Sequence, residues 1–386
     1  MTWKDTIQMQ APTYTFEDKV YKWALGFRFR TYGEQNLKKL TKLARTKEKW
    51  EARKAIIREG ILATAGLWPL PAKTPLNPVV HGRREYKGYA VENAFFESIP
   101  GFFVTGSLYS PVPLPRSVPV VLLPHGHFKL GRCEPDLQHL AATIARMGAY
   151  AFAYDMVGYN DSQQVKHDNP RAFQMQLWDS IRALDLVLGL PCADPSRVGA
   201  SGASGGGTQA FMLAAVDDRV TATAPAVMVS SFFFGGCICE SGMPIHKGKG
   251  YKTNNAEIAA MTAPRPQILV STSTDWSRFE PVLEYPFIKK HYDLYGAGDK
   301  IEQFHIPGER HKYGPSKRAP VFDFFARHLR LLTDGIEKAD GSWDMDGNVI
   351  ETPEAMSVFT AAHPRPSSAL QGDDAVIAAF AALAKK

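Results

Sequence analysis

The sequence has few cysteines and no long apolar segment. Its 386 residues include four cysteines, too few for a scaffold held together by disulfides. Cys237 and Cys239 form a C-x-C pair, but no second pair stands at zinc-finger spacing, so we expect ordinary thiols and no structural zinc. No apolar run approaches the ~20 residues that cross a bilayer, and the N-terminus shows no apolar signal-peptide core. We therefore expect no membrane partner and a cytoplasmic location, or secretion if a leader precedes this sequence.

Phosphate-binding signatures are also missing. The glycine-rich turn at residues 202–206 is accompanied neither by a P-loop Lys-Ser/Thr pair nor by G-x-G-x-x-G. The net charge of +6 is local: residues 1–90 carry 18 Lys and Arg against 8 Asp and Glu, a balance of +10, and the remainder carries −4. Such a basic arm could contact an acidic polymer or a second subunit, although a solvated helix face is the simpler interpretation. We expect no nucleic-acid partner and keep open a homo-oligomer formed through the N-terminal helices.

The chain divides into one large domain with two additions. Its 45% hydrophobic and 22% charged residues are typical of a globular protein. Residues 1–75 predict a helical extension over 14–68, with an interruption at Gly60 and a proline-rich stop. Residues 76–333 form the predicted catalytic domain, and 334–386 a C-terminal extension packed on it, with a turn or hairpin at Asp346-Gly347 and a helix over 373–384. The apolar stripe of the N-terminal helices comprises Leu37, Leu40, Leu43, Ala44, Trp50, Ile57 and Ile61.

Strand-like and helix-like segments alternate through the central domain. A hairpin is predicted over 89–98 and 102–109, after strand character that begins at Val79. Six further strands are predicted, several of them continuous apolar runs as in a parallel sheet covered on both faces; they lie at 118–124, 150–155, 197–201, 220–229, 267–271 and 301–306. Helices are predicted between them. This alternation indicates an α/β fold with a mostly parallel eight-stranded sheet and helices on both faces.

The glycine-rich turn is the most informative motif. Gly202-Ala203-Ser204-Gly205-Gly206 matches G-x-S-x-G, a short apolar strand precedes it, and residues 208–215 favour a helix. A strand, a tight turn and a helix with serine at the tip form the nucleophile elbow of α/β-hydrolases. Ser201 is a competing serine, but it has alanine rather than glycine two positions later. Ser204 is therefore the predicted nucleophile.

The order of the other candidate residues agrees with that fold. Active sites of open α/β sheets lie at the carboxyl ends of the strands. Asp275 follows the seventh predicted strand and His311 follows the eighth, which is the Ser, Asp, His order of α/β-hydrolases. His311 would accept the proton of Ser204, and Asp275 would fix the imidazole tautomer. His291 and His305 fall within a helix and a strand, so His311 alone is in the right loop.

Other loops complete the predicted site. Glu240, after the sixth strand, is an alternative acid, although a salt bridge is its simpler role. The oxyanion hole is predicted to use the backbone N–H groups of Gly205 and His127. The side chains of His125 and His127 are expected to make hydrogen bonds as loop residues and to take no direct part in proton transfer. A substrate pocket would be lined by rings on the same rim, although core packing would explain each of them equally well: His125, Phe128, Tyr159, Phe232, Phe233 and Trp276.

The series of motifs resembles a known family. PHGH, SGASGGGTQ, GGCICE, TNNAEIAA, APRP and STSTDW occur in this order over roughly residues 80–330, and it is similar to bacterial α/β-hydrolases grouped with acetylxylan esterases and related carbohydrate esterases. The GASGGGTQ, GGCICE and TNNAEIAA blocks are more specific than G-x-S-x-G alone. The resemblance implies Ser204, Asp275 and His311 as a triad and a small acyl or alkoxy ester as substrate.

These observations predict a serine carboxylester hydrolase that needs no metal or organic cofactor. The leading substrate is an acetyl ester on a plant-type sugar. The alternatives are a methyl-esterified uronic acid, of pectin or glucuronoyl type, and a small intracellular ester. Two rival classes are a serine peptidase, for which the chain is too short to include a propeller domain, and a non-catalytic binding protein, which would have lost a triad member.

Overall fold

A large mixed sheet forms the centre of the molecule. The computed structural model describes residues 16–248 and 250–383, and the predicted helix positions 14, 15 and 384 lie outside them. Within the described residues the large sheet has nine strands, in the order β1-β2-β3-β5-β4-β6-β7-β10-β11. Its strands are β1 (Val79–Tyr86), β2 (Tyr89–Ile99), β3 (Phe102–Pro111), β4 (Val118–Leu122), β5 (Tyr150–Tyr154), β6 (Ala193–Ala203), β7 (Ala222–Ala226), β10 (Gln267–Thr272) and β11 (Ile301–Ile306). A separate ribbon pairs β8 (Lys247–Gly248) with β9 (Tyr251–Lys252).

Strand direction divides the sheet into two parts. The strands from β5 through β4, β6, β7 and β10 to β11 are parallel, whereas β1, β2 and β3 pair antiparallel with their neighbours. The predicted hairpin is confirmed as β2 and β3. The predicted number of eight strands is wrong by one, because β1 adds an edge strand. β1 is half-exposed and polar, as an edge strand can be, so its sequence lacks the apolar run that identifies the central strands.

Helices cover both faces of the sheet, as predicted. α3 (Pro135–Arg146) and α9 (Pro315–Leu329) share one apolar cluster with one face. The other face is covered by a larger cluster, to which most remaining helices contribute. These are α4 (Ala172–Leu188), α5 (Gly205–Val216), α7 (Asn255–Ala260), α8 (Glu284–Asp293) and α10 (Asp373–Leu383); α6 (Ile238–Ser241) is a single turn after β7. This arrangement is the α/β-hydrolase fold.

Two N-terminal helices pack on the larger cluster. They are α1 (Phe16–Thr41) and α2 (Lys47–Thr64). A short non-helical segment separates them, and its last residue, Thr46, caps the N-terminus of α2. The predicted interruption at Gly60 is wrong: Gly60 lies inside α2, where a Cβ would be 2.3 Å from the ring of Tyr251. The predicted apolar stripe is buried except for Leu43, which is 51% exposed because it lies in the non-helical segment between α1 and α2.

The C-terminal segment contacts the antiparallel edge. Arg84 of β1 forms an ion pair with Glu351 at 2.6 Å, and the side-chain amide of Asn93 in β2 donates to the carbonyl oxygen of Ser357 at 2.8 Å. The chain turns at Asp346-Gly347, as predicted, without forming a hairpin. The division of the chain at residues 75 and 333 stays a prediction. In the part of the chain that the structure describes, no helix combines the length and apolarity needed to span a membrane.

Candidate active site

The predicted nucleophile Ser204 occupies a sharp turn between β6 and α5. Its backbone has φ 58° and ψ −125°, a region that strains any residue with a side chain. The glycines on either side of Ser204 are needed because there is no room for a side chain at their positions. A Cβ on Gly202 would lie 2.4 Å from the carbonyl oxygen of Pro124, and one on Gly206 would lie 2.1 Å from the same atom. The loop after β4 therefore packs directly on the turn, and G-x-S-x-G composition permits that approach.

The competing serine is a core residue. Ser201 is fully buried; its hydroxyl donates to the carbonyl oxygen of Ala224 at 2.7 Å and lies 2.6 Å from the hydroxyl of Tyr313. Ser204 instead lines a pocket at the carboxyl end of the sheet. The structure thus leaves Ser204 as the serine that a substrate can reach.

Asp275 and His311 come together at the same end of the sheet. Asp275 lies in the loop after β10 and His311 in the loop after β11, and Oδ2 of the aspartate is 2.6 Å from Nδ1 of the histidine. The second carboxylate oxygen accepts from the N–H of Ser277 at 2.7 Å and from its hydroxyl at 2.6 Å. A carboxylate only accepts, so Nδ1 carries the proton. Ser277, which the sequence did not single out, orients the carboxylate.

The remaining nitrogen of His311 is available for chemistry. Nε2 is buried and has no hydrogen-bond partner among the described residues. The imidazole ring of His311 packs against Trp276, with ring centroids 4.5 Å apart. His311 and Ser204 line one pocket of about 410 Å³. A base in such a position often completes its hydrogen bond to the nucleophile when substrate binds.

Glu240 lines the same pocket but bonds other groups. Its carboxylate accepts from the hydroxyl of Thr208 at 2.8 Å and lies 4.0 Å from Nδ1 of His127. Burial raises the pKa of this carboxyl. No contact joins Glu240 to His311 among the residues described, so the geometry favours Asp275 as the partner of His311.

Backbone donors are present where the oxyanion hole is predicted. Gly205 is the first residue of α5, so its N–H has no helical carbonyl to bond. The ring of His127 lies over Gly205, since a Cβ there would be 2.8 Å from the ring. Within the described residues the N–H of His127 donates to no other group. The assignment of both N–H groups to an oxyanion hole stays a prediction.

The six predicted pocket residues are not brought together as a set. Phe128 and Trp276 line the pocket with Ser204, and Phe233 stacks on Trp276 with ring centroids 4.2 Å apart. Phe232 instead packs on Phe29 of α1 at 5.3 Å. The N-terminal helix therefore covers one of the predicted wall residues.

The other two, His125 and Tyr159, do not line the pocket of Ser204. His125 is buried, its Nε2 accepts from the N–H of Met156 at 2.9 Å, and its Nδ1 bonds the carbonyl oxygen of Gly126. Burial lowers the pKa of His125 to about 3. Tyr159 packs edge-on against His125 with ring centroids 5.0 Å apart. The neutral His125 thus shapes the loop after β4, as its side chain was expected to do.

The fold and pocket define an α/β-hydrolase with serine at its elbow. The Acetyl xylan esterase (AXE1) family matches residues 70–233. A solved structure, methylesterase BT1017, is 37% identical, with a TM-score of 0.83 over 92% of this chain and 80% of that chain. This chain therefore belongs to the same group of carbohydrate esterases as that methylesterase, and it is a carboxylic ester hydrolase.

More distant solved structures share the fold. A putative acetyl xylan esterase from Bacteroides fragilis is 15% identical with a TM-score of 0.54, covering 78% of this chain and 86% of that chain. A glucuronoyl esterase from Solibacter usitatus has the same identity and TM-score over 73% of this chain and 94% of that chain. No curated protein matches the chain significantly.

Proposed function

We propose that the protein hydrolyses a carboxylic ester on a carbohydrate through an acyl-enzyme formed on Ser204. The observation that carries this proposal is the 2.6 Å contact between Asp275 and His311 at the pocket that contains Ser204. The contact leaves one imidazole nitrogen unpaired beside a serine in an elbow. This is the set of groups that serine esterases require.

The chemistry proceeds in two displacement steps. Nε2 of His311 takes the proton of Ser204 while the serine oxygen bonds the ester carbonyl carbon. The bond to the alkoxy group then breaks, and His311 gives the proton to the departing alcohol. Water, deprotonated by His311, attacks the acyl-enzyme, releases the acid and restores Ser204. Asp275 stabilises the imidazolium, and the N–H groups of Gly205 and His127 stabilise the oxyanion.

The ester we favour is the methyl ester of a uronic acid. The first support is the 37% identity to a methylesterase over 92% of this chain. The second is a cavity of about 310 Å³ that shares His127 and Phe128 with the pocket of Ser204. Lys129 and Lys312 line this cavity, are exposed, and form no ion pair within the described residues. A partly esterified uronic-acid chain carries free carboxylates that two such cations would attract.

Two acidic residues line the same cavity, but other groups hold their carboxylates. Asp136 pairs with Arg318 at 2.6 Å, and Glu134 accepts the N–H of Leu130 at 2.9 Å. Lys129 and Lys312 are the cationic groups that line this cavity, and neither has an ion-pair partner among the described residues.

An acetyl ester of a neutral sugar is the second candidate. The match of residues 70–233 to the acetyl xylan esterase family favours it. The same residues would act, but Ser204 would carry the acetyl group and the sugar would leave as the alcohol. In the methylester case Ser204 would carry the uronoyl group and methanol would leave.

Product analysis separates the candidates. The protein and its Ser204→Ala variant are incubated with methyl-esterified pectin fragments and with acetylated xylan fragments, and proton NMR detects methanol or acetate. We expect methanol from pectin fragments and none with the variant. Acetate alone would establish the second candidate, and no product above the Ser204→Ala control would contradict the carbohydrate assignment.

A double variant tests the role of the lysines. Lys129→Ala with Lys312→Ala should raise KM for pectin fragments and flatten the dependence of kcat/KM on salt, because the attraction is ionic. Hydrolysis of a small uncharged ester that reaches only the pocket of Ser204, such as 4-nitrophenyl acetate, is the control and should not change. An unchanged KM for pectin fragments would contradict the proposed role.

A further inference from the structure

Four metal-binding side chains converge beside the active-site pocket. His127, His167, Cys237 and Cys239 each offer one ligand atom, and these atoms all lie within 4.8 Å of one another. Nε2 of His127 is 3.0 Å from Sγ of Cys239, and Nε2 of His167 is 3.2 Å from Sγ of Cys237. The four residues belong to three loops, which follow β4, β5 and β7.

We propose that these two imidazoles and two thiolates bind a zinc ion. Tetrahedral sites with two sulfur and two nitrogen ligands are typical of zinc. With ordinary zinc–sulfur and zinc–nitrogen distances, neighbouring ligand atoms stand about 3.3 to 3.8 Å apart. The observed separations, from 3.0 Å to at most 4.8 Å, bracket that range. Small side-chain rotations would form the complete coordination shell.

The outer contacts of the histidines support this assignment. Nδ1 of His167 is 2.7 Å from the carbonyl oxygen of Val157, which can only accept, so Nδ1 carries the proton and Nε2 presents its lone pair to the cluster. Nδ1 of His127 lies 4.0 Å from the carboxylate of Glu240. Zinc-binding histidines usually bond their second nitrogen to a carbonyl or a carboxylate, as His167 does, whereas the distance from His127 to Glu240 is longer than a hydrogen bond. Both imidazoles thus point the correct nitrogen at the sulfurs.

The surroundings of the four side chains would shield a bound metal ion on one side and let it enter from the other. Cys239 is fully buried and packs with Met156 and Ala172, which keeps bulk water from its sulfur. Cys237 and His127 line the pocket that opens at Ser204, so an ion has an entry path. An apolar shell on one side and access on the other are features of a usable metal site.

The site has a structural rather than a catalytic role. All four tetrahedral positions are filled by the protein, which leaves none for water or substrate. The ion would join three loops at the rim of the pocket, including the loop whose His127 N–H we assign to the oxyanion hole. Loss of zinc should therefore lower kcat indirectly, by releasing that loop.

Metal content tests the proposal without reference to esterase activity. The full-length protein is reduced with a phosphine under nitrogen, treated with a chelator, desalted and titrated with zinc chloride. Elemental analysis should give about one zinc per chain. Cobalt chloride in place of zinc should give the intense visible bands of tetrahedral cobalt and a near-ultraviolet sulfur-to-cobalt charge-transfer band.

Variants locate the ion. Cys237→Ser and, independently, His167→Asn should weaken zinc binding about a hundredfold. Cys237 is half-buried, and the amide of asparagine at 167 can take the place of Nδ1 and donate to the carbonyl oxygen of Val157, so both variants should fold. Cys192→Ser removes an exposed thiol elsewhere and should bind as the wild type does. Ser204→Ala should also bind zinc fully while lacking turnover, which separates this proposal from the proposed esterase chemistry.

Each outcome decides the question. Stoichiometric zinc with cobalt–thiolate bands that disappear in the Cys237 and His167 variants supports the site. Failure of the reduced protein to bind zinc or cobalt overturns it, as does equal binding by those two variants. A Cys237–Cys239 disulfide that persists in the reductant, seen as a mass two daltons lower, would also overturn it. Re-addition of zinc to the chelated wild type should restore both melting temperature and kcat.

Discussion

Asp275→Asn should lower kcat for ester hydrolysis ~10⁴-fold and change KM little. One carboxylate oxygen of Asp275 contacts Nδ1 of His311 at 2.6 Å, and the other accepts two hydrogen bonds from Ser277 at 2.7 and 2.6 Å. An amide at position 275 will keep its oxygen toward the two Ser277 donors. Its NH₂ group will then face His311.

That orientation selects the wrong imidazole tautomer. Nδ1 of His311 must accept from the amide, so the proton moves to Nε2, which can no longer take the proton of Ser204. A 10⁴-fold loss corresponds to about 5.4 kcal/mol of transition-state stabilisation. Adding Ser277→Ala removes one of the two donors that hold the amide. The double variant should therefore regain about five- to tenfold of the lost activity, because the amide can rotate more readily.

The assay is steady-state hydrolysis of a methyl-esterified pectin fragment, with thermal melting to verify folding. Glu240→Gln is the matched control, because it neutralises a buried carboxylate of the same pocket while keeping the acceptor that Thr208 uses. We expect this control to retain far more activity than Asp275→Asn. A loss below tenfold for Asp275→Asn, with a severe loss for Glu240→Gln, would assign the acid to Glu240. Further loss on adding Ser277→Ala would refute the proposed orientation of the amide.

Three further predictions concern the nucleophile, the elbow and a buried carboxyl. Ser204→Ala and His311→Ala should each remove most turnover and together remove little more, because the two act as a unit; additive losses would contradict their partnership. Gly206→Ala should lower the free energy of unfolding by about 2 kcal/mol, since its Cβ would lie 2.1 Å from the Pro124 carbonyl oxygen; an unchanged melting temperature would refute this. Burial raises the pKa of Asp179 to about 7, against ~3.9 in the unfolded chain. As the pH rises between these two values, the free energy of unfolding of the wild type should fall by up to roughly 4 kcal/mol relative to that of Asp179→Asn. Urea unfolding at several pH values checks it, and parallel pH profiles would contradict it.

Burial on both faces made the central strands predictable. Val118 to Leu122 is fully buried and reads as an apolar run, so its place in the parallel sheet followed from the sequence. β1 lacks that signal because one side of the strand is exposed and the other is only half-buried, where Arg84 bonds a distant carboxylate. The prediction at Gly60 fails for a similar reason. Glycine indicates a helix interruption in the local sequence, but here it leaves room for the ring of Tyr251 from a distant part of the chain.

The candidate site could be predicted from the sequence where a single reactive side chain directly follows a recognisable strand. Ser204, Asp275 and His311 each follow a recognisable strand, and the structure places them in the expected loops. Phe232 also follows a strand, but α1 docks over it through Phe29. Helix docking depends on tertiary packing, which no local pattern near Phe232 reveals.

The histidine–cysteine cluster is not visible in local sequence spacing. Zinc-finger spacing requires a second pair of ligands near the C-x-C pair in sequence, and none is there. His167 is 70 residues from Cys237, and His127 is 112 residues from Cys239. Yet all four follow β4, β5 or β7, whose carboxyl ends meet at one edge of the sheet. The positions of these loops along the sheet, which also group the predicted triad, therefore bring two imidazoles and two thiols together.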